Sequence, residues 1–169
     1  MVEKSRITVG ILSDTHGRFP RTVYEALADC DHIIHAGDIG DPEIIRTLEA
    51  LAPTTAVLGN NDFDEYGESV RKFATPRIGG IAFLVSHYPR DVDLKAGGQK
   101  AIAPGDPIPR VCVHGHTHVP RVETGKDIRP ADLLICPGAV FRPRGGSMPS
   151  VAKLVIEDEK VVDHFFEEV

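Results

Sequence analysis

Ile7-Thr8-Val9-Gly10-Ile11-Leu12-Ser13-Asp14-Thr15-His16-Gly17 is an apolar run that breaks into a polar, ligand-rich turn. Ile7 to Leu12 reads as a buried strand, with Thr8 and Gly10 its only interruptions. Downstream, Pro20 fits the first turn of a helix reaching about Cys30, and Ile33-Ile34 mark a second strand. Asp41-Pro42 is a helix start, an N-cap followed by proline at the first helical position. Ile44, Ile45, Leu48 and Leu51 share one face of that helix, and Ala56-Val57-Leu58 form a third strand. Strand, helix, strand, helix, strand implies a parallel sheet core.

The second half changes character. Arg71–Ile78 and Ile81–Val85 flank Gly79-Gly80, a two-residue hairpin signal. A Gly/Pro-rich stretch, Gly97 to Pro109, follows a short helix expected near Asp91–Lys95. Val111–Val113, Leu133–Ile135, Val151–Ile156 and Val161–Phe166 read as strands, the last two pairing around Glu157–Lys160. The expectation is one α/β domain over residues 1–169, parallel in its first half and antiparallel in its second.

Composition narrows the function. Nineteen basic and 25 acidic residues give a net charge of −6, a poor match for strong non-specific nucleic-acid binding or for an anionic membrane. Ile81–Val85 is the longest apolar run, too short to span a bilayer. Met1–Arg6 lacks a signal-peptide core, and Cys30, Cys112 and Cys136 are odd in number, with the last two in apolar runs. Buried free thiols and a cytoplasmic location are expected.

Five polar motifs each follow an apolar run: Ser13–Gly17, Gly37-Asp38, Gly59-Asn60-Asn61-Asp62, Ser86-His87, and Gly115-His116-Thr117-His118. Ligands of open α/β sheets bind outside the carboxyl ends of the strands, so five such ends can bring these side chains to one edge. Asp14 and His16 are two residues apart, as are His116 and His118. Extended backbone would point each pair to one side. Imidazole and carboxylate without thiolate suit Mn, Fe, Zn, Co or Ni. Asp14, His16, Asp38, Asn60, His87, His116 and His118 exceed one coordination sphere, and two ions sharing a carboxylate absorb them. His35 and His114 read as residues that orient ligands, Asp62 as support for the Asn60 loop, and Asp41 as the helix cap.

In this order, D-x-H, G-D, G-N-x-D, a lone His and G-H-x-H resemble the calcineurin-like metallophosphoesterases. Ser-Asp-Thr-His-Gly, His-Ala-Gly-Asp and Gly-His-Thr-His resemble their small bacterial and archaeal phosphodiesterase branch, over Ile7 to about Gly146. The resemblance implies a four-layer α/β/β/α sandwich with two mixed sheets and two divalent ions, manganese first. It implies that Asp14, His16 and His118 hold one ion, that Asn60, His87 and His116 hold the other, and that Asp38 bridges them. The implied reaction is in-line attack on a small phosphodiester by a hydroxide between the ions, with Asp38, Asn60, Asn61 and His87 at the catalytic centre. Two ions against two carboxylates leave about +2 at the site, a reason for a phosphodiester to bind there.

Two departures from the family pattern stand out. Asn61 occupies the place where many members have a His, and an amide donates no proton at neutral pH. Pro137-Gly138-Ala139 replaces a P-G-S run, and Arg142 and Arg144, with Asn60, are candidates to hold phosphate oxygens. The competing expectations are a metal-binding interaction scaffold similar to the retromer subunit of this fold, and a phosphomonoesterase or protein phosphatase. A homo-oligomer is compatible with the sequence.

Overall fold

Strand β1 (Arg6–Leu12) alternates its side chains between two apolar layers, which is why it reads as an unbroken run. Val9 and Ile11 join the core between two sheets, whereas Leu12 packs beneath the helices. The computed structural model describes residues 6–169, so the expectation for Met1–Ser5 lies outside the described residues. The elements that follow are α1 (Arg21–Leu27), β2 (His32–His35), α2 (Pro42–Leu51), β3 (Thr54–Ala56), β4 (Phe73–Ala74), β5 (Arg77–Ile78) and β6 (Ile81–Ser86). After them come β7 (Val111–Val113), β8 (Pro120–Thr124), β9 (Leu133–Pro137), β10 (Ser150–Glu157) and β11 (Lys160–Glu168).

Two mixed sheets result. The first runs β11-β10-β1-β2-β3, with β1, β2 and β3 parallel and β10 antiparallel to β1. The second runs β4-β6-β7-β9-β8, with β5 also pairing with β6. Ile34, Phe83, Val85, Val113, Ile135 and Leu154 fill the space between the sheets. Each fully buried side chain of this size contributes roughly 1.5–3 kcal/mol of transfer free energy. Leu27, Ile33, Ile44 and Leu48 form the layer between the first sheet and α1 and α2. Leu84, Val92, Cys112 and Leu134 form the outermost layer, covered by 3₁₀ turns at Pro89–Val92 and Gly97–Ala101. The four-layer arrangement holds, with 3₁₀ turns where the second helical layer would be.

Several expectations change. The second half is not simply antiparallel: β6, β7 and β9 are mutually parallel, and antiparallel pairs lie only at the margins. Long crossovers make this possible, and the Gly/Pro-rich stretch is one of them. The helix expected near Asp91–Lys95 is replaced by the two 3₁₀ turns, because Pro89 and Gly97-Gly98 interrupt any longer helix. Helix α1 stops at Leu27, and Pro20 is its N-cap in extended conformation. β3 lies two residues earlier than Ala56–Leu58, while Val57 bridges to Arg71. Thr75-Pro76 splits the expected Arg71–Ile78 strand into β4 and β5. The turn at Gly79-Gly80 has φ of 57° and 79°, the left-handed pair that a tight hairpin requires. Asp41 caps α2 as expected, its carboxylate accepting from Glu43 N–H at 2.9 Å. No helix of the described residues is long and apolar enough to cross a membrane.

Candidate active site

The chain leaves β1 at Leu12, and the next residues do not stay extended. Asp14 has φ 55° and His16 φ 47°, and Asp38, His116 and His118 have φ 55°, 68° and 61°. The paired ligands are therefore presented from left-handed turns, not from extended backbone as the spacing suggested. A non-glycine residue held there typically costs about 1–3 kcal/mol and persists only when its surroundings enforce it. They do so here: Asp14 N–H donates to Gly37 O at 2.9 Å and His16 N–H to Asp38 O at 2.9 Å. The loops approach so closely that a Cβ on Gly59 would lie 2.1 Å from Asp38 Oδ1, and one on Gly115 would lie 2.0 Å from Ser13 Oγ.

Six of the seven sequence-predicted ligands come together through their donor atoms. Asp14 Oδ1 lies 3.0 Å from His118 Nε2, 3.6 Å from His16 Nε2 and 3.8 Å from His87 Nε2. Asp38 Oδ2 lies 3.6 Å from His16 Nε2 and 3.5 Å from His87 Nε2. Asn60 Oδ1 lies 3.0 Å from His87 Nε2, and the seventh, His116, brings Nδ1 within 3.2 Å of the same oxygen. Donors about 2.0–2.2 Å from one ion stand roughly 3.0–3.6 Å apart, and all but one of these separations fall in that range. Asp14, His16 and His118 form one candidate metal group, and Asp14, Asp38 and His87 another.

Neighbouring groups fix which atoms face inward. Asp14 Oδ2 accepts from Ser13 Oγ–H at 2.6 Å and from His116 N–H at 3.2 Å, leaving Oδ1 free. His118 donates Nδ1–H to Arg142 O at 2.8 Å, and His87 donates Nδ1–H to Ala36 O at 2.7 Å. Their Nε2 atoms therefore face the carboxylates across the cluster, where the lone pair of a neutral ring would be available to a cation. Asp14 Oδ1 and His16 Nε2 are buried without any hydrogen-bond partner. A buried polar atom left this way costs about 1–3 kcal/mol, more if charged. A divalent cation shared by these donors satisfies both atoms, so the residues fit a metal.

The electrostatics agree. Burial alone would raise the Asp38 pKa, but hydrogen bonds from His87 and Asn61 outweigh it and hold the carboxyl well below its usual range. Burial would lower His87, and the Asp38 and Asp14 carboxylates turn that into a raised value. Burial and neighbouring His87 lower His116. Asn61, exposed at the cleft, donates both its backbone N–H and its amide Nδ2–H to the Asp38 carboxylate. Asp62 accepts from Ile39, Gly40 and Gly59 N–H groups, tying the Asp38 and Asn60 loops together, as its reading as loop support anticipated.

Ser13 contributes a hydroxyl beside an aspartate, a sequence signal for a residue that orients that carboxylate. His35 sits wholly buried behind Asp38: Gly37 N–H donates to its Nδ1 at 3.2 Å, so its Nε2–H meets Thr15 Oγ1 at 3.0 Å, and Thr15 donates on to Ile39 O. His114 is buried with Nδ1–H on Gly115 O and does not reach the donor cluster. Phe141 lines the open cleft of about 400 Å³ together with His16, His116, His118, Arg142 and Arg144. A larger depression of about 570 Å³ beside Ile81, Arg110 and Val161 contains none of these donors.

Clustered carboxylate, amide and imidazole donors at the strand ends of two facing mixed sheets form a candidate metal site of the phosphoesterase type. Residues 7–159 match the calcineurin-like phosphoesterase superfamily domain, and the chain belongs to that superfamily. A probable metallophosphoesterase of Methanocaldococcus jannaschii is 32% identical over 163 residues, covering 89% of this chain and 77% of the relative. Among solved structures, an archaeal phosphodiesterase superposes with a TM-score of 0.70 at 26% identity, over 96% of this chain and 100% of the other. Zinc-complexed Vps29 of Entamoeba histolytica gives a TM-score of 0.69 at 18% identity, over 96% and 98%, a likeness of fold alone.

Proposed function

We propose that the protein is a dinuclear, metal-dependent phosphoesterase that favours small phosphodiesters. One observation carries the reading: Asp14 Oδ1 and His16 Nε2 are buried without partners while further donors converge on them. In this reading Asp14, His16 and His118 hold one ion, Asn60, His87 and His116 the other, and Asp38 bridges. Manganese is the first expectation, with Fe, Zn, Co or Ni suited to the same donors. Bound ions would lower the pKa of a coordinated water and neutralise charge in the transition state. Ser13 and His116 N–H turn Asp14 into the site, Asn61 orients Asp38, and Ala36 and Arg142 carbonyls orient His87 and His118. Asn60 contacts the non-reacting oxygens of the scissile phosphate, and Arg142 and Arg144 supply phosphate-binding guanidinium groups at the rim of the cleft. Preference for diesters is supported by Asn61, which supplies no proton to a poor leaving group.

Turnover separates this reading from a metal-binding interaction scaffold of the Vps29 type: an enzyme loses hydrolysis on chelation, and a scaffold has none to lose. A single catalytic domain and a cytoplasmic location belong to the same reading, the location supported by three buried free cysteines. The test is hydrolysis of an aryl phosphodiester by metal-free protein and by protein reloaded with each divalent ion, alongside metal analysis. About two ions per chain and metal-dependent turnover are expected on the two-metal template. Saturation at one ion or none, or turnover indifferent to chelation, would sink the proposal.

A further inference from the structure

We infer that Arg18, Arg142 and Arg144, gathered around Phe141, form a second anion subsite beside the candidate metal cluster, so that the favoured substrate is a phosphodiester carrying a second phosphate group. This rests on the phosphodiesterase reading and goes beyond it. The Phe141 ring lies 6.2 Å from the His16 ring, centroid to centroid. Arg18 Cζ lies 4.3 Å and Arg142 Cζ 5.0 Å from the Phe141 centroid. One aromatic ring therefore separates the guanidinium groups from the donor cluster, while Arg142 and Arg144 line the cleft itself.

What sets these three arginines apart is that they share one rim beside the donor cluster and none is neutralised there. Arg6, Arg21, Arg46, Arg110 and Arg121 each meet a carboxylate. Arg18, Arg142 and Arg144 have no acidic partner among the described residues. In a chain of net charge −6, three free guanidinium groups at one rim are a local reversal of sign. A planar guanidinium stacks on an aromatic face while its N–H fork stays open to a phosphate.

The rim is also held in place. Phe141 N–H donates to Asp14 O and Arg144 N–H to His118 O, both at 3.0 Å. Arg142 O accepts from His118 Nδ1, and Arg142 itself is in the left-handed region at φ 56°. The backbone that carries two of the arginines is thus fastened to two candidate metal ligands. A strained residue next to the cluster points to a position that function requires. The second charge would sit one ring away from the scissile phosphate.

The test uses a matched pair: thymidine 5′-(p-nitrophenyl phosphate) and the same ester bearing a 3′-phosphate. Wild-type protein should show a kcat/KM about tenfold higher for the phosphorylated ester, carried by KM, as one charge-assisted contact would give. Added salt should shrink that preference. Arg18→Gln should remove most of it, and so should Phe141→Leu, which takes away the platform. Equal kcat/KM for the two esters would overturn the subsite and leave the phosphodiesterase reading standing. If neither ester is hydrolysed, that reading fails, and calorimetry on chelator-treated protein still decides the subsite. Thymidine 3′,5′-bisphosphate should then bind about tenfold tighter than thymidine 5′-phosphate, a gap that Arg18→Gln closes. Equal affinities would overturn it.

Discussion

Asn61 clasps the Asp38 carboxylate with two hydrogen bonds, backbone N–H to Oδ1 and amide Nδ2–H to Oδ2, each 2.9 Å long. The residue that cannot supply a proton thus has a positioning role: it fixes the plane of the proposed bridging carboxylate. Partners of this kind typically contribute about 10- to 100-fold in metal affinity or activity. Asn61→Ala should weaken metal binding by about that factor, read by calorimetric titration of metal-free protein. Unchanged affinity would mean that the backbone N–H alone suffices.

Asn61→His places a titratable donor at the same point of the cleft. A general acid typically contributes about 10²–10⁴ in rate, and most where the leaving group is an alkoxide. The variant should raise the ratio of alkyl monoester to aryl diester kcat/KM, with metal content held equal. A wild type that already prefers alkyl monoesters would remove the basis for this expectation.

Asp38→Asn should separate chemistry from folding. The charged carboxylate is held low by His87 and Asn61 and so adds to the metal-free fold, and its loss should lower the metal-free melting temperature modestly without unfolding the chain. Turnover should fall at least about a hundredfold, roughly 3 kcal/mol of transition-state stabilisation. Wild type should gain about 2.7 kcal/mol of stability at a metal concentration 100 times Kd, and the variant much less. Near-normal turnover would reduce Asp38 to a loop residue.

Much of this was legible in the chain because strand ends announce themselves. Ile7–Leu12, Ile33-Ile34 and Val111–Val113 are buried on both faces and therefore read as apolar runs, and the ligands follow each run. β8 was not legible: Pro120, Arg121 and Glu123 make a polar edge strand, where proline at the first position and outward charges are tolerated. The parallel pairing of β6, β7 and β9 was hidden because loops and 3₁₀ turns replace the helix that usually signals a crossover. The left-handed turns at Asp14 and His16 were hidden too, since Asp and His carry no local mark of positive φ as glycine does. Phe141 joins the cleft through hydrogen bonds to loops more than a hundred residues away, a relation no local pattern encodes.

Gly59→Ala tests how tightly the loops are interlocked. The added methyl would meet Asp38 Oδ1 at 2.1 Å and Asp38 N at 2.2 Å, the latter backbone that cannot swing aside. Overpacking of this kind typically costs about 1–3 kcal/mol. At this chain length each kcal/mol lowers Tm by roughly 2–4 °C. Metal affinity should fall in the same variant, because Asp38 is what moves. A stable variant with full affinity would show that the loop relaxes freely.

His35 sets a pH limit on the metal-free fold. Burial pushes its pKa down from 6.5 to about 3, chiefly by desolvation, with the His87 charge acting in the same direction and the Asp62 and Asp38 carboxylates opposing. Its Nδ1 accepts from Gly37 N–H, which only the unprotonated nitrogen can do. Above about pH 6.5 the imidazole is neutral folded and unfolded, so it adds no slope. Below that, the unfolded chain takes up a proton that the native state refuses, and stability falls by up to about 1.4 kcal/mol per pH unit. The loss continues until about pH 3, where the buried ring also titrates. Urea unfolding of chelator-treated protein at a series of pH values should show this slope, and His35→Gln should flatten it while keeping a polar group for Thr15. An identical slope in wild type and variant would assign the acid sensitivity to other groups, with the Asp38 carboxylate, held low by His87 and Asn61, the next to examine at the acid end of the range.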